Sequence, residues 1–367
     1  MRAHPFVILA SLLAAGCGGG GIPFLGGAPL AVTPERLTIL EGDTVRLDLT
    51  GADAEDAVWA AGDTAVVTVL GAGRIAGAGQ GRSLVTATLP DGRSVRAYVF
   101  VDEAVLVGAG DIAVCGYETD ERTAELLDHI AGVIWTAGDN AYPSGSARDF
   151  AECFDPTWGR HKDRIRPTPG NHEYRTPGAS AYFDYFGEAA GERGKGWYSY
   201  RYGGWLIIAL NSNLSALDED TIEEQMDWLR DTLEDNPVLC TLAYFHHPLF
   251  SSGSHGSNDD EDVRPIYEAL YAAGADVVLA GHDHHYERFP PLDPSGRNDP
   301  RRGIRQFLVG SGGGALRSSG SQVHPQSEVF NNRDHGVLEL VLHEDGYEWQ
   351  FVTVEGSGGD SGRGSCH

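Results

Sequence analysis

The stretch "VLVGAGDIAVCG", Val105 to Gly116, carries two overlapping signals behind a short apolar run. Gly108-x-Gly110-x-x-Ala113 has the spacing of the glycine turn in a dinucleotide-binding fold. In the same letters Gly110-Asp111 drops a carboxylate at a strand end, where a metal can sit. The nucleotide reading requires an acidic residue about 20 positions on, at the end of the next strand. The next apolar run ends instead in "TAGDN", with Asp139 well beyond that distance. Two successive strands therefore end in Gly-Asp, and ligands of open α/β sheets gather outside the carboxyl ends of strands.

Three further fragments repeat the pattern. "PTPGNHEY" places Asn171 and His172 after an extended proline-rich segment. "LAYFHHPLF" ends an apolar strand in His246-His247-Pro248, and "VVLAGHDHHYER" ends another in His282-x-His284. A single strand-end Asp is usually just solvated, and a lone His is more often a hydrogen-bonded core or surface residue than a ligand. Five such clusters, each behind an apolar run, read as a metal site. If strand alternation continues, His247 and His285 point away from it. Arg288 reads as a brace for the histidine loop, and "GSGGG" at 310–314 as a tight loop without the context of a nucleophilic serine.

In this order, Gly110-Asp111, Gly138-Asp139-Asn140-Ala141-Tyr142, Gly170-Asn171-His172-Glu173, His246-x-Pro248 and Gly281-His282-Asp283-His284 resemble the calcineurin-like metallophosphoesterases. The Gly-Asp-x-x-Tyr form at 138–142 is similar to the purple acid phosphatase branch. Many relatives carry Asp-x-His in the first motif, whereas this chain has Ala113. Tyr142 is placed to supply the missing donor. The resemblance implies one metal held by Asp111, Asp139, Tyr142 and His284, and a second held by Asp139, Asn171, His246 and His282, with Asp139 bridging. Three anionic oxygens suit Fe(III) at the Tyr142 site. A neutral amide and two imidazoles suit Fe(II), Zn(II) or Mn(II) at the other. His172 is implied as the general acid for the leaving group, with His255 in "SSGSHGSND" as a second candidate.

The expected activity is binuclear-metal hydrolysis of phosphate monoesters from a small phosphorylated substrate. Two cations about 3.5–4 Å apart orient the phosphate oxygens, absorb developing charge and lower the pKa of a bound water. Positioning and electrostatics carry most of such catalysis. A phosphodiesterase or nucleotidase of the same superfamily is the alternative. A surface adhesion protein with an inactive enzyme domain is a third reading, and the intact set of ligands argues against it.

The rest of the chain frames this centre. The 27 basic and 53 acidic residues give a net charge of −26, which repels nucleic acid and anionic lipid. Bound cations invert the local field, so an acidic protein can still take an anion. Residues 1–17 read as a lipoprotein signal peptide whose "AAGC" ends in a lipidated Cys17. Residues 18–31 read as a glycine-rich tether, so that the only membrane association is a lipid anchor on Cys17. The expected location is the outer membrane, periplasm or cell surface of a bacterium. Residues 32–103 are short β-branched runs separated by Gly and Asp turns, resembling a bacterial immunoglobulin-like sandwich. Within them "GAGRIAGAGQG" reads as a turn rather than a phosphate loop. Residues 104–356 alternate strands and helices, which predicts an α/β metallophosphoesterase domain of two packed mixed sheets flanked by helices. Residues 357–367 read as a flexible tail.

Export places the cysteines in an oxidising compartment. Cys115, Cys153, Cys240 and Cys366 allow three connectivities, among which the sequence does not choose. Cys115 with Cys153 is a candidate pair. Cys240 in the apolar "VLCTLAYF" reads as a plain buried thiol.

Overall fold

The computed structural model describes residues 29–39, 41–101, 104–253, 262–320, 322–356 and 359–367. The proposed signal peptide and Cys17 lie outside the described residues, as does His255. No helix among the described residues is long and apolar enough to cross a membrane.

Two mixed sheets form the larger part of the molecule. The first has six strands in the order Ile165–Thr168, Val133–Ala137, Ala104–Ala109, Gly336–Leu342, Gly346–Thr353 and Ser361–Ser365. Its first three strands run parallel and the others antiparallel. The second has seven, in the order Tyr198–Tyr202, Trp205–Ala209, Thr241–Tyr244, Val277–Ala280, Ile304–Val309, Tyr286–Leu292 and Val329–Asn331. Its four middle strands from Trp205–Ala209 to Ile304–Val309 are parallel.

The period of two along a strand sorts side chains between two cores. Ile207, Leu242 and Val277 face the first sheet and join Leu106, Leu338 and Leu340 in the core between the sheets. Leu206, Ile208, Ala243 and Val278 face outward and are covered by Met226 and Leu229 of helix Glu219–Asp235 and by Ile266 and Leu270 of helix Arg264–Ala272. Strands buried on both faces read as continuous apolar runs, which is how "WLIIAL" and "DVVLAG" appear in the sequence. Parallel strands also bring their carboxyl ends to one rim. The two sheets meet there, where Gly110 N–H donates to Val309 O at 2.8 Å.

The N-terminal region is strand-rich. Strands Arg36–Ile39, Ser94–Val101, Gly81–Thr88 and Val58–Ala61 form one sheet, and Thr44–Arg46, Arg74–Gly77 and Val67–Gly71 another. Leu47, Trp59, Val67, Ile75, Val85 and Val99 fill the space between them. The glycine-rich imitation of a phosphate loop is a turn at Ala72-Gly73 followed by strand Arg74–Gly77. Arg36 joins this region to the larger one. Its Nε donates to the buried Glu339 carboxylate at 2.5 Å while the guanidinium lies 4.1 Å from the centre of the Phe100 ring.

The C-terminal segment differs from the expected loose tail. Ser361–Ser365 is a paired edge strand, registered against Gly346–Gln350. Glycine in a strand leaves a gap that an aromatic ring can cover. A Cβ on Gly362 would come within 2.4 Å of the Trp349 ring, so the indole lies directly over this backbone. Cys366, just beyond, is bonded to Cys240, which corrects the reading of Cys240 as a free thiol. Cys115 is bonded to Cys153. The Cys240–Cys366 link spans 126 residues and ties the seven-stranded sheet to the edge of the six-stranded one. Cys366→Ser is expected to cost about 2–4 kcal/mol of stability, because the unlinked unfolded chain regains loop entropy. Thermal melting under non-reducing conditions measures that loss, and limited proteolysis should then cut preferentially between 354 and 367.

Candidate metal centre

Five of the seven candidate ligands follow a parallel strand by two or three positions. Strand Ala104–Ala109 delivers Asp111, and Val133–Ala137 delivers Asp139. Ile165–Thr168 delivers Asn171, Thr241–Tyr244 delivers His246, and Val277–Ala280 delivers His282. Asp111, Asp139 and His282 have φ of +61°, +49° and +73°, and only Ala72 and Ala179 join them among described non-glycine residues. Backbone held in this left-handed region costs about 1–3 kcal/mol per residue and gathers at functional sites. The sharp turn lets each side chain look back over the rim. Gly138 has a φ of +76°, and a Cβ there would lie 2.6 Å from His246 Nδ1, so both conformation and space require glycine.

The first group of donors centres on Tyr142. Its hydroxyl lies 2.9 Å from Asp111 Oδ1, 2.9 Å from Asp139 Oδ2 and 3.0 Å from His284 Nε2. The short pairing of Ala113–Val114 with Ala141–Tyr142 fixes this position, so the phenol reaches the carboxylates that residue 113 does not. The second group surrounds Asn171 Oδ1, which is 3.0 Å from His246 Nε2 and 3.2 Å from His282 Nδ1. Those two ring nitrogens are 3.2 Å apart. Asp139 faces both groups, since its Oδ1 is 3.5 Å from His246 Nε2 while its Oδ2 meets Tyr142. All seven side chains named from the sequence therefore converge.

The protonation pattern fits cations. His246 Nδ1 lies 2.7 Å from Ala137 O and His284 Nδ1 lies 3.0 Å from Ala315 O, so each ring, when neutral as a metal ligand must be, donates there and turns a bare Nε2 inward. His246 Nε2 then faces the carbonyl oxygen of Asn171, acceptor against acceptor. Such crowding of lone pairs around one point is what a cation satisfies. Charges answer one another in the same way. Burial would raise Asp111, but positive charge placed on His284, His246 and His282 together outweighs it and holds the carboxyl well below its usual value. Burial and the carboxylates of Asp111 and Asp139 keep the Tyr142 phenol well above 10.

Around these donors the backbone is tightly pinned. His172 N–H donates to Asp139 Oδ1 at 2.8 Å, and His172 Nε2 lies 3.8 Å from Asp139 Oδ2. The loop at 310–314 passes beneath Asp111, with Gly314 N–H donating to Asp111 O at 2.8 Å. Ser311 is fully buried and donates to Gly336 O, which removes it as a nucleophile. His285 is buried against Glu287 at 3.0 Å, and Arg288 pairs with Asp360 and Glu328.

Two features are not in the sequence reading. Glu173 is fully buried and accepts from Gly170 N, Asn140 N and Ala141 N at 2.7, 2.9 and 3.3 Å, clamping the two loops that carry Asp139, Tyr142 and Asn171. Its place inside the Asn-His-Glu triplet was the available signal. His247 does not turn away. The strand ends at Tyr244, so alternation no longer governs it, and its ring centre lies 4.6 Å from that of His282.

Residues 104–286 match the calcineurin-like phosphoesterase family. Purple acid phosphatase 18 of Arabidopsis thaliana is 29% identical over 264 residues, covering 64% of this chain and 56% of that protein. Purple acid phosphatase 15 of the same plant is 28% identical over 232 residues, 51% of this chain and 43% of that one. The chain thus spans about half the length of these relatives. Among solved structures, a purple acid phosphatase from yellow lupin (Lupinus luteus) seeds superposes with a TM-score of 0.59 at 16% identity, covering 88% of this chain and 68% of that one. GAP50, the anchor in the inner membrane complex of Plasmodium, gives the same TM-score at 13% identity, covering 72% and 89%. These superpositions establish the fold alone, since one fold hosts many functions. Residues 104–286 form a calcineurin-like metallophosphoesterase domain, and purple acid phosphatases are among its homologues.

Proposed function

We propose that the protein is a binuclear-metal phosphohydrolase that cleaves phosphate monoesters, with a metal centre of the purple acid phosphatase kind. The observation that carries this is the double contact of Asp139, one oxygen toward Tyr142 and the other toward His246. Asp111, Asp139, Tyr142 and His284 would hold one cation, and Asp139, Asn171, His246 and His282 the other. Two carboxylates and a phenolate oxygen favour a hard trivalent ion, so we assign Fe(III) to the Tyr142 side. Fe(II), Zn(II) or Mn(II) suits the amide and imidazoles opposite. When bound, the pair supplies the positive charge that a dianionic phosphoryl group and its in-line attack by water require.

The chain's own residues do the rest. Carbonyl contacts at Ala137 and Ala315 fix the tautomers of His246 and His284. His172 Nδ1 lies 2.7 Å from Pro143 O, which leaves Nε2 to carry a proton toward the leaving oxygen. Burial lowers the His172 pKa, so the ring gives its proton up more readily and holds it only at more acidic pH. Such a general acid contributes about 10²–10⁴-fold. His255 remains the second candidate for this role.

The chain is also read as an exported lipoprotein anchored through Cys17, with residues 32–103 as an immunoglobulin-like spacer. The pairing of all four described cysteines supports an oxidising compartment. Purified protein is expected to carry two metals per chain, to show a visible phenolate-to-metal band, and to hydrolyse aryl phosphate faster than bis-aryl phosphate or ATP. A faster diester or ATP rate would favour the phosphodiesterase or nucleotidase reading. Metal-free, inactive protein after reconstitution would end the proposal.

A further inference from the structure

We infer that His247 is a substrate-binding residue whose Nε2–H, in a tautomer set by Ser212, donates a hydrogen bond to a phosphoryl oxygen. This rests on the phosphohydrolase reading above and names a contact that the seven metal donors do not supply. Ser212 and His247 leave the ends of neighbouring parallel strands, Trp205–Ala209 and Thr241–Tyr244, which are still linked where Leu210 N–H donates to Tyr244 O at 3.0 Å. Ser212 is 3% exposed. Its Oγ accepts the His247 backbone N–H at 2.9 Å and lies 2.9 Å from His247 Nδ1.

The serine oxygen already accepts one hydrogen bond, and among the described residues its own proton has His247 Nδ1 as acceptor. That arrangement makes Nδ1 the accepting nitrogen and puts the ring proton on Nε2. His246 has the opposite pattern, with Nδ1 against a carbonyl and Nε2 bare. Two adjacent histidines thus present a lone pair and an N–H to the same region. The His247 ring centre is 4.8 Å from that of His246 and 4.6 Å from that of His282. One nitrogen of each of the three rings lies within 4.8 Å of the others. His247 is half-buried at the rim that carries the donors. A ring N–H is no metal ligand, but beside a cation it suits the oxygen of an anion that the cation has drawn in.

The test measures binding of inorganic phosphate by calorimetry, with metal content by elemental analysis on the same samples. His247→Ala is expected to weaken phosphate binding about 10- to 100-fold, the factor for losing one hydrogen bond to a charged group. His247→Gln, whose amide N–H₂ reaches the place of Nε2, should stay within about threefold of wild type on the same argument. Ser212→Ala frees the tautomer and is expected to weaken binding by less than His247→Ala does. All variants should retain two metals per chain. Unchanged phosphate affinity in His247→Ala overturns the inference. So does loss of one metal from that variant, which would make His247 a ligand. Wild-type protein that holds two metals and binds no phosphate would overturn the parent reading, and this one with it.

Discussion

Asp139→Asn is expected to lower kcat/KM for aryl phosphate by about 10³-fold or more and to leave fewer than one metal per chain. The carboxylate serves three neighbours at once. Oδ2 meets the Tyr142 hydroxyl, while Oδ1 takes the His172 N–H and faces His246 Nε2. Asparagine offers a single oxygen. If that oxygen keeps the His172 N–H, the amide protons turn toward Tyr142 and Asp111, and the first cation loses both a charge and a donor. If the amide turns the other way, it meets the donating His172 N–H. A loss of several kcal/mol in charge stabilisation is 10³-fold at about 1.4 kcal/mol per decade. The fold gives the control. Asp111 and Asp139 both crowd one phenol, so removing one charge should let the metal-free variant melt no lower than metal-free wild type. An active, fully metallated Asp139→Asn would refute the bridging role.

The legibility of this centre in the sequence follows from its geometry. Parallel strands buried on both faces are continuous apolar runs, and whatever follows each run is carried to the same rim. Asp111, Asp139, His246 and His282 obey that rule, and Asn171 follows the parallel edge strand Ile165–Thr168 to the same rim, so their types and positions could be read without knowing the strand order. Residues placed by the turn rather than by the strand were less visible. His247 lies past the last paired residue, Tyr244, where a period of two has no meaning. Ser212 stands in a polar "NSN" segment that carries no motif of its own.

Segments stabilised mainly by backbone were misread for a related reason. "GSGGDSGRGSCH" has no apolar alternation, yet its strand needs none, because the Trp349 ring covers Gly362 and the pairing is made by main-chain groups. Cysteine spacing was equally silent. Cys240 and Cys366 are 126 residues apart, and only the adjacency of two sheet edges brings them together. The pair of Cys115 with Cys153 is closer in sequence and needed only the first motif to approach the segment after Tyr142.

Glu173→Gln is expected to reduce metal affinity about 10- to 100-fold and to lower stability by about 2–4 kcal/mol, although this carboxylate touches no proposed ligand atom. Glu173 Oε1 accepts from Asn140 N and Ala141 N, and Oε2 from Gly170 N and, at 3.5 Å, from Asn140 Nδ2. Burial and the nearby Asp139 charge push its pKa up to about 8, so the fold retains an acid in an unfavourable place. The converging N–H groups explain why. Above about pH 8, where Glu173 is ionised and both oxygens accept, glutamine replaces one of them by an amide nitrogen whichever way the side chain is turned, and two donors then face a donor inside a dry site. Unsatisfied buried groups cost about 1–3 kcal/mol each, offset in part by local shifts of the chain. Those shifts occur in the loops that carry Asp139, Tyr142 and Asn171, which makes the loss of metal affinity a positional effect. Titrating metal back separates the two variants. Excess metal should restore most of the activity of Glu173→Gln, whose ligands are all present, and little of that of Asp139→Asn. A Glu173→Gln protein that melts and binds metal like wild type would show that the clamp on the two loops is held by other contacts.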